Sequence, residues 1–205
     1  MIENSENALQ LVVLIVCALV AMYRAIIARD KAWMLLTFFY VSWAMGDFYW
    51  LLCLLFFGSV PQISVVSDLS WYAAFLFLYL LVRQVTPDGE AGWKSPIAWL
   101  GPAFTLGMAL FYMRWGKVLS NLLYAATMGL LLFAALHCLW QERRGGRSRF
   151  LCALILVFCL LEHGLWTSSC FWVGDALFNP YYWFDLMVTA CFPIFIPATK
   201  RAVAA

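Results

Sequence analysis

Seven long apolar runs, separated by short segments that hold most of the charged residues, dominate the chain. The runs lie at about 8–28, 33–57, 67–85, 96–113, 118–140, 149–173 and 180–199. About 20 apolar residues in a helix cross the bilayer core. Each run must be a helix, because lipid offers no hydrogen-bond partner to backbone groups. The pattern predicts an all-α, polytopic membrane protein with a single domain, 1–205, of seven transmembrane helices.

The overall composition agrees with a membrane protein. The chain is 65% hydrophobic and 12% charged, whereas an average soluble domain is about 45–50% apolar and about 25% charged. The acidic start at Glu3 and Glu6 is atypical of a secretory signal, so the first run is interpreted as a retained span. A formal net charge of +2 gives no indication of a nucleic-acid partner.

The basic residues predict an orientation. Eleven of the 13 follow odd-numbered runs: Arg24, Arg29, Lys31, Arg83, Lys94, Arg143, Arg144, Arg147, Arg149, Lys200 and Arg201. Only Arg114 and Lys117 lie between runs four and five. Because basic loops stay in the cytoplasm, we expect the N-terminus outside, the C-terminus inside, and a multi-pass location in the plasma (inner) membrane.

Ionisable side chains interrupt three of the runs at depth. Asp47 lies in run two, Glu162 and His163 lie midway along run six, and Asp185 lies about one turn inside run seven. A charge at the bilayer centre costs at least about 2.5–3.5 kcal/mol. These groups must therefore face the bundle interior, where they pair, bind water or stay protonated.

Helical spacing places aromatic and polar residues on the same faces. Trp43 and Trp50 share a stripe with Asp47, and Trp166 shares one with Glu162. We expect a polar, aromatic-walled cavity open to the outer side. Its candidate ligand-binding residues are Asp47, Glu162, His163, Trp43, Trp50, Trp166, Tyr124, Asn121 and Asp185.

A purely structural role for this polar cluster is the alternative, since buried polar groups also fix helix register. Asp68, in "SVVSDLSW", is interpreted as a helix N-cap rather than a site residue. No metal site or cofactor is predicted. The two histidines lie at different depths, and a retinal Schiff base is excluded because no lysine lies inside a run.

These features favour a receptor- or sensor-like bundle for a small ligand, either cationic or lipid-like. The C-terminal "PATKRAVAA" would be available to a cytoplasmic protein partner. A membrane-embedded lipid hydrolase is the first alternative. A proton-coupled transporter or a structural subunit of a membrane complex is the second, since acids at mid-membrane also suit ion coupling.

The hydrolase alternative comes from a resemblance. "SWAMGD", Ser42 to Asp47, followed by a turn and then "DLSWYAAFLFLYLL", resembles the Gly-Asp helix and following span of the YhhN-like lysoplasmalogenase family. Those membrane enzymes hydrolyse the vinyl ether bond of lysoplasmalogens. The resemblance covers about 45 residues and implies acid–base roles for Asp47 and, as a second membrane acid, Asp185.

Overall fold

A computed structural model describes residues 2–61, 63–86, 95–142, 145–172, 174, 176 and 178–204. These residues form seven α-helices. They are α1 (Ile2–Ala28), α2 (Lys31–Phe57), α3 (Val65–Val85), α4 (Leu100–Tyr112), α5 (Val118–Gln141), α6 (Arg149–Phe171) and α7 (Pro180–Val203). No strand occurs in the described part of the chain. The predicted all-α class is therefore confirmed.

Six of these helices are long and apolar enough to cross a membrane, as a multi-pass integral membrane protein requires. The exception is α4, whose 13 residues extend about 20 Å at 1.5 Å per residue. That length is below the roughly 30 Å of a bilayer core. A turn at 96–99 precedes α4, so residues 96–113 contain less regular helix than their hydropathy indicates. A seventh span in this segment stays a prediction.

Local capping fixes the two ends of α2. The side chain of Asp30 accepts a 2.7 Å hydrogen bond from the backbone N–H of Ala32 at the first turn. Gly58 ends the helix at φ 63, and its N–H donates to the Leu54 carbonyl. Glycine is suited to this left-handed C-terminal position because it has no Cβ. At the other end, Asp30 starts α2 so soon after α1 that the connection between the two helices is only two residues long.

The long helices form a closed ring in the order α1, α2, α3, α5, α6, α7 and back to α1. The short helix α4 lies outside this ring, packed on α5. Gly101 permits that close approach, because a Cβ added there would lie 2.7 Å from the Cβ of Leu132. At the other end of α4, the Asn121 amide donates to the Tyr112 carbonyl at 2.9 Å. α4 therefore runs antiparallel to α5.

Two ends of the ring can now be distinguished. We call the N-terminal face the end at which α1, α3, α5 and α7 begin, and the C-terminal face the opposite end. Arg114 and Lys117 lie at the N-terminal face. Of the basic residues predicted to be cytoplasmic, the eight that the structure describes lie at the C-terminal face. The other three, Lys94, Arg143 and Arg144, fall outside the described residues. How these faces are oriented across the membrane stays a prediction.

Aromatic rings fill the centre of the ring. Phe39 of α2 lies 5.4 Å from Phe195 of α7 and 6.0 Å from Phe158 of α6, measured between ring centroids. Trp43 lies above them, 5.2 Å from Phe158 and 5.5 Å from Phe75. Edge-to-face contacts of this kind add to the free energy gained by burial. This set, Phe39, Trp43, Phe75, Phe158, Phe192 and Phe195, is called the aromatic layer below.

Candidate functional site

A cavity of about 330 Å³ lies at the N-terminal face, above the aromatic layer. Every helix of the ring supplies at least one side chain to its wall, whereas α4 supplies none. The exposed side chain of Lys117 and the exposed Ser169 mark its rim. Trp43 is the lining residue that also belongs to the aromatic layer, so it forms the floor.

Seven of the nine residues predicted for a site line this one cavity. They are Asp47, Glu162, Asp185, Trp43, Trp50, Trp166 and Asn121. They come from α2, α5, α6 and α7, which are distant in sequence. The structure therefore brings together the three deep acids that the sequence places on three separate helices.

Asp47 is 3% exposed and has one satisfied and one unsatisfied oxygen. Its Oδ1 accepts a 3.0 Å hydrogen bond from the indole Nε1 of Trp71 on α3. Its Oδ2 is buried and has no partner among the described residues. Gly46 allows Trp71 to approach, because a Cβ at that position would lie 2.7 Å from the indole nitrogen. One oxygen of this cavity-lining carboxyl group thus has no donor in the described part of the chain.

Glu162 is 5% exposed and lines the cavity from α6. Within the described part of the chain it accepts no hydrogen bond. Asp47 of α2 lines the same cavity. A buried acceptor without a partner is uncommon in native proteins and calls for an explanation at the site itself.

Asp185, like Asp47, has a protein donor at its Oδ1. The amide Nε2 of Gln10 on α1 donates to Asp185 at 2.8 Å and to Thr189 at 3.0 Å. Both hydrogen bonds are buried, so they join α1 to α7 at the wall of the cavity. This pairing is typical of a structural polar cluster, which was the alternative considered for the deep acids.

Asp68 is not the N-cap of α3, and that prediction is wrong. The helix begins three residues earlier, at Val65, after Ser64. Asp68 instead accepts hydrogen bonds from Ser64 Oγ at 3.0 Å and from Ser120 Oγ of α5 at 3.1 Å. Its side chain lines the cavity as a fourth carboxyl group. Val65 and Val66 form the first turn of α3, although β-branched residues have a slightly lower helix propensity.

His163 and Tyr124, the other two predicted residues, do not line the cavity. The His163 ring packs against Phe104 of α4 at 4.9 Å and Tyr124 of α5 at 5.6 Å. Both of its ring nitrogens, and the Tyr124 hydroxyl, are buried without a partner among the described residues. Tyr124 lies behind Trp166, with ring centroids 4.7 Å apart. These two residues support the wall from outside.

Indole rings form much of the wall. The ring centroids of Trp50 and Trp71 lie 5.8 Å apart on the α2–α3 side of the cavity, and Trp166 lies on the α6 side. Trp71 was not among the predicted site residues. Gly46, directly before Asp47 in the second run, is a small residue that permits close helix approach, and it is the signal that could have identified an α3 partner here.

Two polar residues of α1 were also missed. Asn7 and Gln10 are 7% and 4% exposed and line the cavity from the first helix. Both precede the continuous apolar stretch that begins at Leu11, so hydropathy alone assigns them to the helix end. Their spacing of three residues puts them on one helical face.

The chemistry offered by this site is that of acceptors and indole faces. Four carboxyl groups line the cavity, and the basic lining residue is the rim residue Lys117. No group of three or more His, Cys, Asp or Glu side chains in the described part of the chain is arranged to hold a metal ion. The site is therefore suited to a ligand that donates hydrogen bonds or carries positive charge.

Comparison of the chain with protein-family models, with curated proteins and with solved structures gives no significant match. The resemblance of the Gly46–Asp47 helix to the lysoplasmalogenase family accordingly stays a prediction that depends on those residues alone.

Proposed function

We propose that this protein binds a small molecule in the cavity at its N-terminal face and acts as a receptor- or sensor-like membrane bundle. One observation supports the proposal most strongly. All six ring helices supply side chains to a single cavity, and two of its buried carboxyl groups retain acceptors that the protein does not satisfy. Polar groups that converge in a partly apolar pocket are the usual mark of a ligand site.

The charge distribution gives the proposal a direction. If the basic C-terminal face is cytoplasmic, as the positive-inside rule predicts, the cavity opens to the outside of the plasma membrane. α4 with its preceding turn then makes the seventh crossing. The end of α7, with Lys200 and Arg201 in its last turn, lies inside, where a protein partner can respond to movement of the ring.

The aromatic layer favours binding over passage. It includes Trp43, which forms the cavity floor, and it joins α2, α3, α6 and α7 through rings whose centroids are about 5–6 Å apart. A carrier would have to separate these contacts to connect the two faces. A binding protein needs no such opening.

Binding can be tested with purified protein in lipid nanodiscs. Amines, amino acids, carboxylic acids and lysolipids are screened by their shift of the thermal unfolding midpoint, because a ligand of the native state stabilises it. Leu165→Trp narrows the cavity from the half-buried Leu165. Leu160→Trp is the matched control, since Leu160 is exposed on the outside of the same helix.

We expect at least one compound class to give a saturable shift that Leu165→Trp weakens by about tenfold or more and Leu160→Trp leaves unchanged. A screen without any saturable shift would contradict the proposal. Equal binding by both variants would also contradict it, because the ligand would then lie elsewhere. Uptake into proteoliposomes driven by a proton gradient would favour the transporter instead.

A membrane-embedded lipid hydrolase is the second candidate, and one observation favours it. Asp47 and Asp185, the acids implied by the resemblance, line the same cavity although they belong to α2 and α7. Hydrolysis of a lysoplasmalogen consumes one water and cleaves the vinyl ether to a fatty aldehyde and a water-soluble glycerophosphodiester. Two carboxyl groups in one cavity are suited to the proton transfers of such a reaction.

Aldehyde release from a lysoplasmalogen tests the hydrolase. Asp47→Asn and Asp185→Asn should each abolish it if these residues act as acid and base. Glu142→Gln, at the C-terminal end of α5, should have no effect. If the wild-type protein releases no aldehyde, the hydrolase is excluded and the binding proposal stands.

A further inference from the structure

We infer that the ligand of the cavity is a protonated primary or secondary amine attached to a small apolar body. This inference rests on the proposed binding function and specifies its ligand class. The lining contains four carboxyl groups but only a rim lysine to balance them. The ionised form of these carboxyl groups would repel an anionic ligand, whereas a cation would stabilise that form and pair with it.

The hydrogen-bond inventory identifies the acceptors that the protein leaves without a donor. Asp47, Asp68 and Asp185 each accept through one oxygen, from Trp71, from Ser64 and Ser120, and from Gln10 respectively. Asp47 Oδ2 is buried without a partner, and Glu162 accepts no hydrogen bond at all in the described part of the chain.

Asp47 and Glu162 line the same cavity, from α2 and α6 respectively. Asp47 is 3% exposed and Glu162 is 5% exposed. Leaving such acceptors unmatched costs free energy in a buried site. A donor from the ligand placed between Asp47 and Glu162 would recover it.

The type of donor follows from the number of acceptors. An ammonium group with two or three N–H bonds can satisfy both carboxyl groups at once, and hydrogen bonds between charged partners are the stronger kind. A quaternary ammonium has the charge but no N–H to donate. The arrangement therefore favours primary and secondary amines over quaternary ones.

The walls fit the remainder of such a ligand. Trp43, Trp50 and Trp166 line the cavity with Trp71, and indole is the aromatic ring that attracts cations most strongly. The same rings provide apolar surface for the body of the ligand. A volume of about 330 Å³ is at the lower end for ligand pockets, which restricts the body to roughly one ring or a short chain.

Three probes of matched shape separate charge from hydrogen bonding. They are 2-phenylethylamine, its N,N,N-trimethyl derivative and the neutral 2-phenylethanol. Each is titrated at neutral pH and fixed salt against the protein in nanodiscs, with the thermal shift as readout. We expect the amine to bind most tightly, the trimethyl derivative next, and the alcohol about tenfold to a hundredfold more weakly than the amine.

Variants assign the effect to the inferred pair. Glu162→Gln and Asp47→Asn should each weaken amine binding by about tenfold and leave alcohol binding unchanged, which also shows that the variant is folded. Glu142→Gln, at the C-terminal face, should change neither. Equal affinity of the wild-type protein for amine and alcohol, or the absence of saturable amine binding, would overturn the inference.

The two proposals fail differently. Suppose that a neutral or acidic compound binds, that Leu165→Trp blocks this binding and that Glu162→Gln does not affect it. The cavity would then bind ligands, but the amine inference would be wrong. If no compound of any class binds, the binding function itself is wrong.

Discussion

The indole of Trp71 donates a 3.0 Å hydrogen bond to Oδ1 of Asp47 and so links α3 to α2 beside the cavity. Trp71→Phe would keep the ring but remove the donor and leave both oxygens of a buried carboxyl group unsatisfied. We expect the free energy of unfolding to fall by about 1–3 kcal/mol. Reversible unfolding in micelles measures this change.

A double-mutant cycle with Asp47→Asn tests the same hydrogen bond. Trp71→Phe should lower the free energy of unfolding by less in the Asp47→Asn background, because an uncharged amide is less costly to leave unpaired than a carboxylate. Trp50→Phe is the matched control, since Trp50 lines the cavity beside Trp71 but has no hydrogen bond to Asp47. Equal costs in both backgrounds would exclude a contribution from this contact.

The environment of His163 leads to a second prediction. Its two ring nitrogens are buried among Phe104, Tyr112 and Tyr124 without a hydrogen-bond partner in the described residues. His163→Phe should therefore keep the free energy of unfolding unchanged or raise it by about 1–2 kcal/mol. Tyr124→Phe, which removes a second unpartnered group, is the companion variant. A marked loss of ligand binding in His163→Phe would instead return this residue to the site.

The packing of α4 on α5 can be checked with two glycines of the same helix. A Cβ at Gly101 would lie 2.7 Å from Leu132 Cβ and 3.0 Å from the Leu132 backbone, whereas nothing lies within 4 Å at Gly107. We expect Gly101→Ala to lower the free energy of unfolding by about 1–3 kcal/mol, because the backbone contact cannot yield. Gly107→Ala should raise it by up to about 1 kcal/mol through helix propensity. Similar effects at both sites would contradict the close approach.

The proposed orientation is tested by labelling engineered cysteines in intact cells with a membrane-impermeant maleimide. Arg114→Cys, at the N-terminal face, should react without permeabilisation, and Arg147→Cys, at the C-terminal face, should react only after it. The native cysteines give a low background, since six are buried and Cys170 is half-buried. Reaction of Arg147→Cys in intact cells would reverse the orientation and place the cavity inside.

Hydropathy predicted the helices well because the bilayer imposes a length and a composition on any spanning segment. Six predicted runs became helices whose ends differ by a few residues, the largest difference being the start of α1 at Ile2 rather than near residue 8. Hydropathy was least informative for residues 96–113. The apolar composition of this segment does not distinguish a full span from the shorter α4, and the turn at 96–99 has no strong sequence signal.

The candidate site was predicted less completely, for a geometric reason. Successive helical residues are about 100° apart, so the spacing alone does not decide which of Glu162 and His163 lines a cavity. The sequence contains both polar groups, but only the packing of α4 and α5 decides that Glu162 faces inward and His163 faces those two helices. Gln10 and Trp71 were missed because their partners, Asp185 and Asp47, are remote in sequence.

The shared wall of the cavity has a consequence for biogenesis. Asp185 and Tyr181 are contributed by α7, which follows the other five ring helices along the chain. During synthesis the earlier helices enter the membrane while this side of the pocket is still missing. The pocket is therefore complete only after α7 has inserted beside α1 and closed the ring.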